Sequence, residues 1–334
     1  MIKYIPFIAV LLITINVFGQ KTIQGHVLDQ AKKPIPYVNI GILSSTTGTI
    51  SNEDGSFQIQ VPELNIKDTL LFSALGYERK SFPIQSLSPD KALTVSLPEK
   101  ITTLQTLTIL AKREKKETYW LGNRYEKGGF FYADSISAGS AMALLIENKY
   151  PAFHKNLEFP LYVEEAILKI NTNEMGEFKV RVRFLEVDSL TKLPGRDLFE
   201  ESLVVTSDIK SGWMSFDLSS FNLKIDKTSF FLAFEWILND HDRLNLLNQY
   251  KSFRKEHPEK VSRDTLAVRG EKISFYSYQG FNPAVHFGVS PIQFSLNNYV
   301  CYARTNSFGT WKRAPVILTA RILLSNQPAV SQKK

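Results

Sequence analysis

The chain has 334 residues, 43% apolar and 22% charged, a composition that supports a buried core and excludes wholesale disorder, collagen and coiled-coil filaments. Its 40 Lys and Arg against 33 Asp and Glu leave a formal charge of +7 without a basic stripe, so no nucleic acid partner is implied. The single cysteine, Cys301, excludes an internal disulfide, a cysteine zinc site and an iron–sulfur cluster. Because single cores stop growing near ~250 to 300 residues, the length favours two domains.

Met1-Ile2-Lys3 is followed by an uncharged run from Tyr4 to Gly19. The centre of that run, Ile8 to Ile13, has the length of a signal-peptide core and is short for a membrane span. Val17-Phe18-Gly19 places small or modest residues ahead of a cleavage point, so residues 1–19 are expected to be a signal peptide, leaving Gln20 first. An uncleaved anchor is the rival reading. No cysteine follows the run to take a lipid, and no later stretch approaches ~18 apolar residues. The chain is therefore expected to be exported.

Residues 20–111 read as a first domain of short strands. Ile23, Gly25 and Val27, then Val38, Ile40 and Ile42, then Phe57, Ile59 and Val61 alternate with the period of half-buried strands. Pro34 and Pro36 confine their stretch to a loop or sheet edge. Asn52-Glu53-Asp54-Gly55 is a turn signal, because Asp tolerates tight bends and Gly takes positive φ without steric cost. Further strands are expected over Thr69 to Ala74 and through Leu93, Val95 and Leu97, with a turn at Leu75-Gly76-Tyr77. Seven or so strands with no helical period indicate a small β-sandwich. The Asn52 to Asp54 oxygens lack the alternating acidic ligands of a calcium loop, and Phe57, Phe72 and Tyr77 fall where core packing is the default use of a ring.

Four blocks carry a resemblance: Ile23-x-Gly25-x-Val27-x-Asp29, Pro34-Ile35-Pro36-Tyr37-Val38-Asn39-Ile40, Gly48-Thr49-x-Ser51-Asn52-x-Asp54-Gly55-x-Phe57, and Asp68-x-Leu70-x-Phe72-Ser73-x-x-Gly76-Tyr77. Together they resemble the carboxypeptidase-regulatory-like domain. That resemblance implies a seven-stranded, transthyretin-like Greek-key sandwich, non-catalytic and found in envelope proteins of bacteria with an outer membrane. Leu104 to Ala111 is also similar to the strand that follows this domain in outer-membrane TonB-dependent transporters. The ~220 residues beyond it are too few for such a transporter's large barrel.

Lys112 to Thr118 reads as a charged, solvated linker. Residues 119–325 are again rich in strands, ahead of a polar tail at 326–334. Phe178, Val180, Val182 and Phe184 alternate with Lys179, Arg181 and Arg183, which predicts a half-buried strand with one cationic face outward. Ser229 to Ile237 is nearly continuous in apolar residues, as a central strand covered on both faces requires. Ala138 to Lys149 allows a helix or a strand. The whole chain is thus expected to be all-β, with a larger jelly-roll-like sandwich following the first domain. Phe178-x-Val180-Arg181-Val182-Arg183, Pro194-Gly195-x-Asp197-Leu198, Gly212-Trp213-x-x-Phe216-Asp217-Leu218-Ser219 and Phe234-Glu235-Trp236-Ile237 resemble the sandwich that accompanies the regulatory-like domain in other exported proteins.

No nucleophile elbow, zinc helix, Walker loop or dinucleotide fingerprint occurs, so no catalytic residue and no cofactor is assigned. Cys301 lies in an alternating strand run and has no expected catalytic role. Asp240, His241 and Asp242 form the one cluster with metal-binding atoms close in sequence, although their place after a strand favours a polar loop. Glu235 interrupts an apolar run and must pair, face solvent or shift its pKa; Arg181 or Arg183 of a neighbouring strand is the expected partner. Asp240 to Lys272 is a polar excursion with a short helix expected over Arg243 to Tyr250. Tyr276, Tyr278, Phe281 and Asn282 put rings beside amides as sugar recognition does, and equally suit a buried strand and its turn.

The reading that follows is a non-catalytic, exported envelope protein that binds a ligand or partner, an envelope protein or a glycan. Its place is the periplasm, the outer-membrane surface or the exterior. The alternative is a carbohydrate-binding or carbohydrate-active protein using the second sandwich, with paired carboxylates as a glycosidase would need.

Overall fold

The computed structural model describes residues 21–43, 45, 47–100, 115–125, 130–133, 139–147, 157–268, 271–292 and 299–329. The expected signal peptide, the Leu104 to Ala111 strand and the first half of the linker lie outside the described residues.

The first unit contains β1 (Lys21–Leu28), β2 (Asn39–Ile42), β3 (Gly48–Ile50), β4 (Ser56–Val61), β5 (Thr69–Ser73), β6 (Lys80–Pro83) and β7 (Leu93–Ser96). They form one sheet ordered β4-β1-β7 and a second ordered β3-β2-β5-β6. The alternating residues of the sequence, Ile23, Val27, Ile40, Phe57, Ile59, Phe72 and Val95, meet in one core. Phe72 packs edge-on against Phe57 and Phe82, at centroid distances of 5.3 and 5.8 Å.

Two glycines of the motif blocks have steric reasons. β1 runs parallel to β7 with Gly25 opposite Leu93, and a Cβ at Gly25 would sit 1.8 Å from the Leu93 carbonyl oxygen. Gly55 has φ +75°, and a Cβ there would lie 2.5 Å from the Val27 carbonyl oxygen.

The second unit begins with β8 (Thr118–Gly122), β9 (Phe130–Ala133), β10 (Ala141–Glu147), β11 (Leu161–Asn173), β12 (Phe178–Val187) and β13 (Pro194–Asp197). It continues through β14 (Leu203–Ser207), β15 (Gly212–Asp217), β16 (Lys224–Ile225) and β17 (Ser229–Ile237). Helix α1 (Asp240–Glu256) and the hairpin β18 (Val261–Val268) and β19 (Glu271–Tyr278) follow. The unit closes with β20 (Val285–Pro291), β21 (Cys301–Arg304), β22 (Lys312–Arg313), β23 (Val316–Leu318) and β24 (Ala320–Ser325).

One sheet is ordered β13-β12-β17-β10-β21-β22, with β14 also on β12. The other is ordered β23-β20-β11-β24-β8, with β15 and β16 on β11 and β9 on β20. Phe178, Val182, Phe234 and Trp236 of the first share a core with Ala166, Ile170, Phe287 and Ile322 of the second. The chain is thus an all-β pair of sandwiches with one α-helix among the described residues. Within the stretch open to helix or strand, Ala141–Glu147 is the strand β10.

β17 is central and buried on both faces, as its apolar run requires. The cationic face of β12 corrects the expectation of an outward row. Lys179 is 5% and Arg181 3% exposed, because the first sandwich and the start of α1 cover them. Period-two alternation identifies the face opposite the core; it does not say that water lies there.

Gly25→Ala is expected to break the β1–β7 pairing, since the new methyl would meet backbone. Thermal unfolding checks this, with a drop in the transition of the first sandwich and faster amide exchange along β1.

Candidate functional site

The centre of the molecule is the face of the β12–β17–β10–β21 sheet that looks away from the shared core. Register brings its charges together. Arg181 lies opposite Glu235, Glu235 opposite Ala141, and Ala141 opposite Arg304. The methyl of Ala141 leaves room for Arg304 to reach across the intervening strand, so its Nη2 stands 3.4 Å from Glu235 Oε1. Glu235 Oε2 accepts from Arg181 Nη1 at 3.4 Å and from Arg183 Nη1 at 3.1 Å, and Ser307 Oγ donates to Oε1 at 3.2 Å. Arg183 also grips Asp197 in a two-point fork, at 2.8 and 2.7 Å.

Burial alone would raise the Glu235 pKa, but Arg183, Arg181 and Arg304 reverse this and hold it at about 2. The arginines fare unequally. Burial works against each, yet Asp197 and Glu235 together raise Arg183. Arg181 is lowered by burial, which Glu235 only partly offsets, and Arg304 falls to about 10 under burial and its cationic neighbours. Three guanidinium groups share two carboxylates, so the effect of burial is outweighed only at Arg183, which holds both. Arg304 finds a further partner in the Trp311 ring, 4.8 Å away.

The same face docks the first sandwich. Arg181 Nη2 donates to the Tyr37 carbonyl at 2.5 Å. Tyr37 holds φ at 55°, an unusual backbone state for a non-glycine residue, and its hydroxyl donates to Glu53 at 2.6 Å. Asn306 Nδ2 donates to the Ser45 carbonyl, and Glu200 accepts from the Gly76 amide and pairs with Lys100. The contacts between the two units join residues 100 or more positions apart, so no local pattern announces them.

The expected metal residues are used for a different purpose. Asn239 caps α1 in a reciprocal capping box with Asp242, and Asp242 also pairs with the buried Lys179 at 3.0 Å. Asp240 turns towards the first sandwich, where its Oδ2 accepts from the Gln58 amide at 2.9 Å and its Oδ1 from Arg243 at 3.3 Å. Arg243 in turn donates to Thr49 and Gly48. Burial raises the Asp240 pKa against the opposing pull of Arg243. His241 is exposed. The polar loop expected here, and the short helix after it, are one helix of 17 residues, and no group of three or more metal-binding side chains occurs among the described residues.

The expected ring site lies at the far end of α1, ~20 Å along its axis from Asp240. Tyr278 packs against Tyr250 at 4.8 Å, and Phe281 stacks on Phe253 at 4.2 Å and 12°. Tyr276 is 45% exposed, but Arg254 covers its ring at 4.7 Å, and Asn282 is exposed nearby in sequence. The rings fasten the β18–β19 hairpin to the helix, a prop that a lone two-stranded sheet requires. Cys301 is buried, which pushes its thiol up to about 12 and leaves it unreactive.

Two concavities accompany these elements. One, of about 450 Å³, runs beside α1 past His241, Asn245, Asn248 and Ser252. The other, of about 380 Å³, opens between the sandwiches, with Tyr37, Tyr77 and Lys100 from the first and Arg181, Glu200 and Ser202 from the second.

Replacing Glu235 by Gln is expected to cost about 3–5 kcal/mol, because buried guanidinium groups lose their shared counter-charge. Denaturant titration measures this. A carboxylate whose folded pKa is depressed stabilises above its unfolded value and loses that contribution as pH falls through the folded one. The native protein is accordingly expected to lose stability between pH 4.5 and about 2 through Glu235, a component that the Gln variant lacks. Asp240→Ala removes the acceptor of the Gln58 amide, so hydrogen exchange at Gln58 is expected to speed up while exchange within β17 stays unchanged.

Part of the chain is similar to known proteins. The chain is 32% identical over 78 residues to the TonB-dependent receptor SusC of Bacteroides thetaiotaomicron, which is 23% of this chain and 8% of the receptor. It is 25% identical over 107 residues to the TonB-dependent receptor P39 of Formosa agariphila, 32% of this chain and 10% of that protein. The chain therefore spans about a tenth or less of these relatives' length. Among solved structures, the major pilin subunit BcpA of Bacillus cereus aligns with 92% of the chain and 96% of its own at 10% identity, with a TM-score of 0.16. A family model does match: residues 23–109 are a CarboxypepD_reg-like domain.

Proposed function

We propose that the chain is a non-catalytic, exported envelope protein that binds a ligand or partner through its two joined sandwiches. The observation that carries this reading is the CarboxypepD_reg-like domain, shared with receptors of the TonB-dependent class and here docked on a second sandwich through a buried ion cluster. The placement of Glu235 supports a binding role over hydrolysis. A carboxylate that is 0% exposed and held ionised among arginines can neither donate a proton nor meet a substrate. The ring cluster at Tyr276, Tyr278 and Phe281 is engaged in packing against α1, which leaves the glycan alternative without a free stacking platform there. The N-terminal apolar run supports export, and no helix of the described residues is long and apolar enough to cross a membrane.

Cell fractionation of the tagged chain with N-terminal sequencing tests the proposal. The expected product begins at Gln20 and lies in the envelope or outside the cell. A chain retained in the cytosol with residues 1–19 intact would contradict export, and a reproducible hydrolase activity lost on one carboxylate substitution would contradict the binding role.

A further inference from the structure

We propose that the cleft between the two sandwiches binds a carboxylate group carried on a compact organic body, with Arg181 as the residue that receives it. This rests on the binding role proposed above and names the chemistry of the ligand.

Arg181 is 3% exposed yet lines the cleft. Its Nη1 donates to Glu235 and its Nη2 to the Tyr37 carbonyl, while its buried Nε has no hydrogen-bond partner among the described residues. A guanidinium carries five N–H groups, so donors remain on a side chain that water scarcely reaches. Such donors are normally matched, and an anionic oxygen is the strongest match.

The local charge points the same way. Arg181, Arg183 and Arg304 face Glu235 and Asp197, leaving one positive charge in excess within the cluster. A monoanion balances it. The acidic groups of the cleft set the upper limit on ligand charge. Glu200 is neutralised by Lys100 and the Gly76 amide, and Glu99 stands exposed at the rim. A dianionic phosphate would bring one negative charge more than the cluster's excess, beside Glu99 at the rim, whereas one carboxylate balances it.

The walls describe the rest of the ligand. Ile35, Pro36, Leu75 and the rings of Tyr37 and Tyr77 present apolar surface around the cation. The volume of about 380 Å³ falls within the range of small-molecule sites, about 300–1,000 Å³. Tyr37, held at φ 55°, supplies both a wall and the carbonyl that fixes Arg181, so backbone strain is concentrated where the two sandwiches frame the ligand. A uronic acid and an acylated amino acid both satisfy this chemistry.

Calorimetric titration of the full exported chain tests the site with matched pairs: galacturonate against galactose, and N-acetyl-leucine against N-acetyl-leucinamide. At least one acid is expected to bind tenfold or more tightly than its neutral partner, and Arg181→Met to abolish that preference. Ser202→Trp fills the cleft from an exposed position and leaves every ion pair of the cluster in place, so it is expected to abolish binding at an unchanged unfolding temperature. Equal binding of acid and neutral forms, no binding of either acid at ~10 mM, or undiminished binding in Ser202→Trp would overturn the inference. An envelope-located chain that binds neither acid rejects this site while leaving the proposed location and binding role standing. Whichever acid binds more tightly identifies the body the walls prefer.

Discussion

A carboxylate with no access to water, set among three guanidinium groups, is the constraint around which this molecule is organised. Desolvating Glu235 costs several kcal/mol, and only close, well-directed counter-charges offset that. The sheet supplies them by register: Arg181 directly across one strand boundary, Arg304 across two, with Ala141 kept small between them. Arg183, shared with Asp197, ties the edge strand β13 into the same network. Because Arg181 then turns a donor towards Tyr37, the interior chemistry of one sandwich becomes the docking surface of the other.

Docking is reinforced at separate points by Asp240 and Arg243 on the strands of the first sandwich, by Asn306 on Ser45, and by Glu200 on Gly76 and Lys100. Each joins a side chain of the second unit to backbone or polar groups of the first. Backbone partners hold orientation without demanding particular side chains. The family match covers residues 23–109, and here the first unit is joined to a sandwich whose sheets close on their own core.

Much of the fold is legible in the sequence because a buried strand face imposes a period of two. Ile23, Val27, Phe57 and Ile59 are read correctly as core, and the unbroken apolar run of β17 marks it as a central strand. Glu235 is legible too, since a lone acid in such a run demands a partner and the neighbouring alternation offers Arg181 and Arg183. What resists reading is everything set by the meeting of the two units. Lys179 and Arg181 look like a solvated row because nothing near them in sequence reveals the surface that covers them. Asp240 and Asp242, adjacent in sequence to metal-binding neighbours, diverge once Asn239 caps a helix, one reaching the Gln58 amide and the other Lys179. Tyr278 and Phe281 suit a ligand platform until α1 brings Tyr250 and Phe253 against them.

The most direct test of the central ion cluster is a double-mutant cycle on Arg181 and Glu235, using Met and Leu as apolar replacements and unfolding free energy as the readout. Either single change is expected to be strongly destabilising and the double variant to recover much of the loss, a coupling well above ~0.5 kcal/mol. Simple additivity of the two changes, within that margin, would show that the buried pair does not organise the structure.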